Sequence, residues 1–365
     1  MRALATAAVL SLFLAPVAFA QTDETAAVDT GTDTGTTADT APVASPVIAQ
    51  VTTQSVETPI VGTYDVTGAL AGTLVVKRPD DDVLVFEGQI GGKKFSLRSP
   101  VSVRTREWRI DLDDTTSVGF IGALGNSPGT TVPSRALVLR ANGANLLGMT
   151  AIAGRPSQAV VLKRKLEALV AYGTYMGAMK VYANQVVGYY KAKGYAVKLM
   201  PGDWKAVTQE LVQAQATGHA YQRFVIVSHG GWDGPMFEGN NCQQSAGENG
   251  VEFGDFTRAV RRGTTPDAKL IFSCCHQGGS NRFEDPYKYY ASLGYPDYRY
   301  TDDLSKRTGR LVAGPMGETS TEYSLRLVKA IEGEGPAVQD TRVSTPSGTR
   351  QIAPGGELAA AQTIR

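Results

Sequence analysis

The sequence is poor in the residues that site chemistry most often uses. Its 365 residues include three cysteines and three histidines, too few for a disulfide framework or a thiol-rich cluster. Excess charge is also missing: 36 Lys and Arg stand against 35 Asp and Glu. A nucleic-acid binder needs a basic excess or stripe, and neither is present. Beyond residue 20 no apolar run approaches the ~20 residues that cross a bilayer, so the mature chain is expected outside the membrane. An odd number of cysteines in an exported chain points to a free thiol or an intermolecular bond.

Residues 1–20 read as a secretion signal, with Arg2, an apolar run from Leu4 to Val17, and the exit Ala18-Phe19-Ala20. Cleavage after Ala20 predicts a secreted or periplasmic protein of zero net charge. Residues 21–57 are rich in Thr, Ala, Asp and Pro and hold no Lys or Arg, which predicts a disordered linker. Residues 58–163 carry short alternating runs at Thr73–Lys77, Val83–Ile90, Lys93–Arg98, Glu107–Asp113, Val118–Leu124 and Arg135–Arg140. That spacing predicts an antiparallel β domain, a meander or small barrel. Such a domain could bind a partner, cover a cleft, or dock on the C-terminal half of the chain. Lys163-Arg164-Lys165 reads as a solvated hinge.

From about residue 164 the period changes. Leu166–Gly173, Tyr195–Met200, Phe224–Val227, Lys269–Phe272 and Arg310–Ala313 read as strands. Helices are expected over Met179–Lys193, from Asp203 to Ala216, over Phe253–Arg262, near Asp303 and over Thr321–Ile331. This alternation predicts an α/β domain over 164–333 with a parallel sheet flanked by helices. Residues 334–365 read as a flexible tail.

In an open parallel sheet, ligands bind beyond the carboxyl ends of the strands. Two strands here end in reactive residues. Phe224–Val227 runs into Ser228-His229-Gly230-Gly231, and Lys269–Phe272 runs into Ser273-Cys274-Cys275-His276-Gln277-Gly278-Gly279. If the strands are neighbours, an imidazole and a thiol meet at one edge. A thiol with pKa ~8.5 is mostly protonated at neutral pH, and a nearby histidine generates or stabilises the reactive thiolate. The flanking glycines allow close substrate approach and leave N–H groups for an oxyanion.

These residues resemble the caspase-like cysteine peptidases, which include caspases, legumains, clostripain and gingipains. Val225-Ile226-Val227-Ser228-His229-Gly230 matches the family's strand ending His-Gly. Leu270-Ile271-Phe272-Ser273-Cys274-Cys275 matches its strand ending in the catalytic cysteine. The gap of 46 residues between His229 and Cys275 is close to the ~50 of caspases. The resemblance covers about residues 166–332. It implies a caspase-like, mostly parallel sheet and a Cys-His endopeptidase acting by acyl transfer on a protein or peptide, with no cofactor. Two residues separate the family's apolar block from its nucleophile, and counting from Phe272 puts Cys275 there, with Cys274 in place of the usual Ala. His229 would serve the proton transfers, and the Gly230 and Cys275 amides would hold the oxyanion. Several relatives set an acidic residue against a basic P1 side chain. Asp233, Glu238, Glu248, Glu252 and Asp255 lie between the two strands; Asp233, Thr319 and Ser320 are carried as substrate-binding candidates.

Other readings use the same residues. An inactive caspase-like binding or envelope protein would keep the fold and lose the chemistry. A vicinal Cys274–Cys275 bond would silence the site, whereas a Cys242–Cys274 disulfide would leave Cys275 free. A metal site would draw on Cys242, Cys274, Cys275, His229 and His276, but the spacing is wrong for the usual zinc pairs and no metal is expected. Ser228-His229-Gly230-Gly231 and Gly125-Asn126-Ser127-Pro128-Gly129 imitate serine-hydrolase motifs in the wrong order. His219 reads as an exposed residue after a helix.

Overall fold

A computed structural model describes residues 60–100, 107–112, 118–119, 135–142, 145–152, 154–231, 234–237, 240–242, 253–279 and 300–352. The expected signal and linker lie outside these residues, as do Asp233, Glu238, Glu248, Glu252 and the 125–129 motif. The described chain is α/β: an antiparallel sheet precedes a mixed sheet with helices on both faces.

The first sheet takes nine strands. They are β1 (Gly62–Gly68), β2 (Gly72–Lys77), β3 (Val83–Ile90), β4 (Lys93–Pro100), β5 (Glu107–Asp111), β6 (Val118–Gly119), β7 (Arg135–Asn142), β8 (Asn145–Ile152) and β9 (Gln158–Arg164). Their order is β4-β3-β2-β1-β9-β8-β7-β5-β6, and β4 approaches β6, so the sheet nearly closes into a barrel. Period-two alternation drives it. Tyr64, Val66, Leu74, Val76, Leu84, Phe86 and Leu97 turn inward, and the Phe86 and Trp108 rings pack 5.4 Å apart. On β8 and β9 the outward Leu147, Met149 and Val161 are apolar as well, which blurs the alternation there. The basic triplet is no simple hinge: Lys163 and Arg164 end β9, and Arg164 Nη2 donates to the Tyr64 hydroxyl over 2.7 Å.

The second domain starts with β10 (Glu167–Tyr172), β11 (Ala196–Pro201) and β12 (Tyr221–Val227). A separate ribbon follows, of β13 (His229–Gly231), β14 (Gly234–Phe237) and β15 (Asn240–Cys242). The main sheet resumes with β16 (Thr264–Ser273), β17 (Leu311–Pro315), β18 (Thr341–Thr345) and β19 (Gly348–Ile352). Its order is β11-β10-β12-β16-β17-β18-β19; the first five are parallel and the last two antiparallel. The helices are α1 (Gly177–Ala192), α2 (Trp204–Thr217), α3 (Phe253–Gly263), α4 (Tyr300–Thr308) and α5 (Ser324–Ile331), the last preceded by a 3-10 turn at Thr321–Tyr323. Asp203 caps α2 as its position predicts, its carboxylate accepting the Ala206 N–H at 2.6 Å.

Successive residues of the central strands serve opposite cores. Phe224, Ile226, Leu270 and Phe272 pack against α2, α3 and α4. Val225, Val227 and Ile271 pack against α1 and α5. Strands buried on both faces must be apolar throughout, which is why they read as continuous runs.

The tail expected from residue 334 is corrected in part, because β18 and β19 form a hairpin added to β17. Arg342 clamps the Asp302 carboxylate of α4 at 2.6 and 2.9 Å, and Ser344 and Thr349 donate to the same carboxylate.

The antiparallel sheet touches the second domain at the edge where the central strands begin. The Arg78 N–H donates to Gln215 O at 2.8 Å, Thr63 Oγ1 donates to Gly218 O at 3.3 Å, and Arg262 pairs with Asp81 at 2.6 Å. Gly218 sits at φ +82, and a Cβ there would lie 2.3 Å from Val75 Cγ1. These contacts lie at the edge of the sheet opposite the ends of β12 and β16.

Candidate active site

β12 and β16 are neighbours, paired in parallel with Val227 opposite Ser273. Each is followed at once by a reactive pair, Ser228-His229 and Cys274-Cys275. Strand alternation sorts the four. Ser228 and Cys274 continue the face of Ile226 and Phe272, and their side-chain oxygen and sulfur meet at 3.3 Å. His229 and Cys275 are left for the α1 and α5 face.

Cys274 is wholly buried, and desolvation pushes its thiol up to about 12. A neutral thiol in an apolar core is no nucleophile. Both Cys274 and Cys275 are free thiols, so the Cys242–Cys274 disulfide and the vicinal bond are both absent. The register of the ribbon pairs His229 with Met236 and Met236 with Cys242, so Cys242 lies in the same three-strand row as His229.

Cys275 is partly exposed, and its sulfur is bracketed by one residue. The Thr319 N–H and the Thr319 carbonyl each lie 3.4 Å from Sγ. His229 stands across from the start of α1: Nε2 is 3.3 Å from Met176 Sδ, and the Tyr175 ring meets the imidazole edge-on at 5.7 Å. Among the described residues, the imidazole and the Cys275 thiol make no hydrogen bond with each other.

Gly230 has a strict steric reason to be glycine. A Cβ there would lie 2.6 Å from Cys274 Cβ, 2.6 Å from Gln277 Nε2 and 2.8 Å from Cys275 O. The backbone after His229 therefore runs directly against the turn that carries Cys275. Gln277, missed in the sequence, holds that approach. Its buried amide nitrogen donates to Gly231 O and to Cys275 O, both at 2.9 Å, stitching the two strand ends together. The legible signal was a long polar side chain inside a glycine-flanked turn, but its burial depends on both strands.

The turn itself is strained and pinned. His276 has φ +60, the single positive φ outside glycine among the described residues. Its N–H donates to Gly317 O at 2.8 Å, and burial holds its imidazole pKa below the ordinary value. Ser320 does not face the thiol through its hydroxyl, which instead caps the 3-10 turn by accepting the Glu322 N–H at 3.4 Å. Asp255, on α3, pairs with Arg258. His219 is exposed as expected, yet it has a partner: Nδ1 lies 2.6 Å from Glu167 Oε1.

Among the described residues no group of three His, Cys, Asp or Glu side chains converges as a metal site. No helix among them is long and apolar enough to cross a membrane. No protein-family model matches this chain, and comparison with curated proteins returns no match.

Proposed function

We propose that this chain is an exported cysteine endopeptidase of the caspase-like kind, with Cys275 as nucleophile and His229 as the proton carrier. The single observation that carries the reading is the parallel pairing of β12 with β16 at Val227 and Ser273. It sets His229, with Gly230 after it, and Cys275 each two residues beyond adjacent strand ends, on one face, where an α/β sheet binds ligands.

In the proposed reaction, the Cys275 sulfur attacks the scissile carbonyl carbon, and its proton passes to His229. The Gly230 and Cys275 amides stabilise the oxyanion. Collapse breaks the C–N bond, and the leaving amine takes the proton from His229. Water, deprotonated by His229, then cleaves the thioester and restores the thiol. No metal or cofactor enters these steps. The export element rests on residues 1–20 alone.

A second reading has its own support. The thiol is occupied by the Thr319 backbone and the imidazole by Met176, a geometry that also suits an inactive caspase-like binding protein. Apo catalytic pairs are often looser than in the substrate complex, so the geometry is compatible with both readings. A peptide library incubated with wild type, Cys275→Ala and His229→Ala in reducing buffer separates them. Cleavage by wild type lost in both variants is expected. Absence of cleavage by wild type would leave the binding protein.

A further inference from the structure

Between the end of β16 and the start of α5 lies a small cavity whose walls include Ser273, Thr319, Tyr323, Leu327, Val338 and Gln339. Cys275 is not among its wall residues, but two of them connect to it. Ser273 stands two residues before Cys275, and Thr319 supplies the N–H and carbonyl that flank the sulfur. A substrate whose carbonyl sits on Sγ would turn a neighbouring side chain toward this opening.

The lining decides what fits. Leu327 and Val338 give an apolar wall. Ser273 Oγ lies 2.7 Å from Ser324 Oγ, which donates onward to Thr321 O, so Ser273 gives its proton away and keeps a lone pair. The Gln339 amide nitrogen donates to Met316 O and Glu318 O at 3.3 and 3.2 Å, which leaves Oε1 as its acceptor. Among the described residues, no Asp, Glu, Lys or Arg side chain lines the cavity. A charged side chain entering it would leave water without gaining a counter-ion. The space holds about one water molecule, which refuses rings and long side chains on size.

We infer that this cavity is the pocket for the P1 side chain and that it selects the smallest uncharged residues, Ala or Ser. The inference rests on the peptidase reading and deepens it. It departs from the basic P1 residue that an acidic pocket would take: Asp255, the described acidic candidate, is engaged with Arg258 on α3.

The test uses the full chain in reducing buffer with peptidyl acyloxymethyl ketones that differ only at P1, carrying Ala, Ser, Asn, Phe, Asp, Lys or Arg. Intact mass reads the labelling rate, and peptide mapping locates it. Probes with Ala or Ser are expected to label Cys275 about ten-fold faster than those with Asn, Phe, Asp, Lys or Arg. Faster labelling of Cys275 by an Asn, Phe or charged probe overturns the pocket and leaves the peptidase reading standing. No labelling by any probe, with Cys275 still open to iodoacetamide, defeats both. Val338→Phe provides a second arm, since Val338 is a half-buried wall residue and a ring there would fill the cavity. The variant should lower the Ala and Ser rates about ten-fold relative to wild type. Unchanged rates in a variant that still melts cooperatively count against the pocket.

Discussion

Thr319 presents both its N–H and its carbonyl to the Cys275 sulfur, each at 3.4 Å. The thiol is thus held by the turn after β17, while His229 is held by Met176 at the start of α1. Under the proposed function, a substrate would have to displace both the Thr319 and the Met176 contacts before sulfur and imidazole act together.

The two adjacent thiols should differ sharply in reactivity. Burial raises the Cys274 pKa to about 12 from an ordinary 9.0, which cuts its thiolate fraction about a thousand-fold at neutral pH. Iodoacetamide on the native protein should therefore modify Cys275 and spare Cys274 until denaturant is added. Mass mapping at intervals checks this; equal rates at both positions would contradict the burial.

Substitutions at the pair should split activity from stability. Cys274→Ala removes a buried sulfur from a packed core and is expected to cost about 1–2 kcal/mol with cleavage retained. Cys275→Ala, at a partly exposed position, should leave stability within about 0.5 kcal/mol and abolish cleavage. Urea titration beside peptide hydrolysis reads both effects.

Gly230→Ala should damage the site through its backbone. The new methyl would meet Cys274 Cβ, Gln277 Nε2 and Cys275 O at 2.6 to 2.8 Å, and a backbone carbonyl does not yield as a side chain does. A loss of about 1–3 kcal/mol is expected, together with loss of cleavage. A variant with wild-type melting temperature and turnover would refute the steric reading.

Gln277→Leu tests the stitch between the strand ends. It removes two 2.9 Å hydrogen bonds and leaves the Gly231 and Cys275 carbonyls without that donor. The expected cost is about 1–2 kcal/mol. Hydrogen exchange should rise in 229–231 and 274–279 and stay low in β10, a pattern that uniform loosening would not give.

His219 and Glu167 give the fold a pH dependence of known sign. The hydrogen bond to Glu167 raises the folded pKa of His219 above 6.5, and desolvation opposes it. Stability from this pair is therefore fully present below the unfolded pKa and fades as pH rises through the folded value. Half of the His219 side chain is exposed, so solvent screening keeps the effect small. Thermal melts between about pH 5 and pH 9 should show a slope that Glu167→Gln flattens.

Much of the second domain was legible because its strands are buried on both faces. Phe224–Val227 and Lys269–Phe272 read as continuous apolar runs, and the structure extends them only at their beginnings and by one residue at Ser273. The β18–β19 hairpin was not legible. Its buried residues include Thr341 and Ser344, and Ser344 is satisfied by Thr301 and Asp302, more than forty residues earlier. Polar burial of that kind leaves no apolar alternation to see. β8 and β9 failed for the opposite reason, with apolar residues on the outer face as well.

The sequence by itself determined which residues could do chemistry: one His-Gly and one Cys-Cys, each closing an apolar strand. It also narrowed the Cys pair, since alternation sends neighbours to opposite faces. Tertiary structure decided the rest. Pairing of β12 with β16 made the two strand ends neighbours, and the chain between them could have led elsewhere. Packing of the turn after β17 put Thr319 on the thiol, and docking at Gln215 and Gly218 put the antiparallel sheet on the far edge. Those outcomes depend on contacts between residues distant in the chain, which local periodicity does not encode.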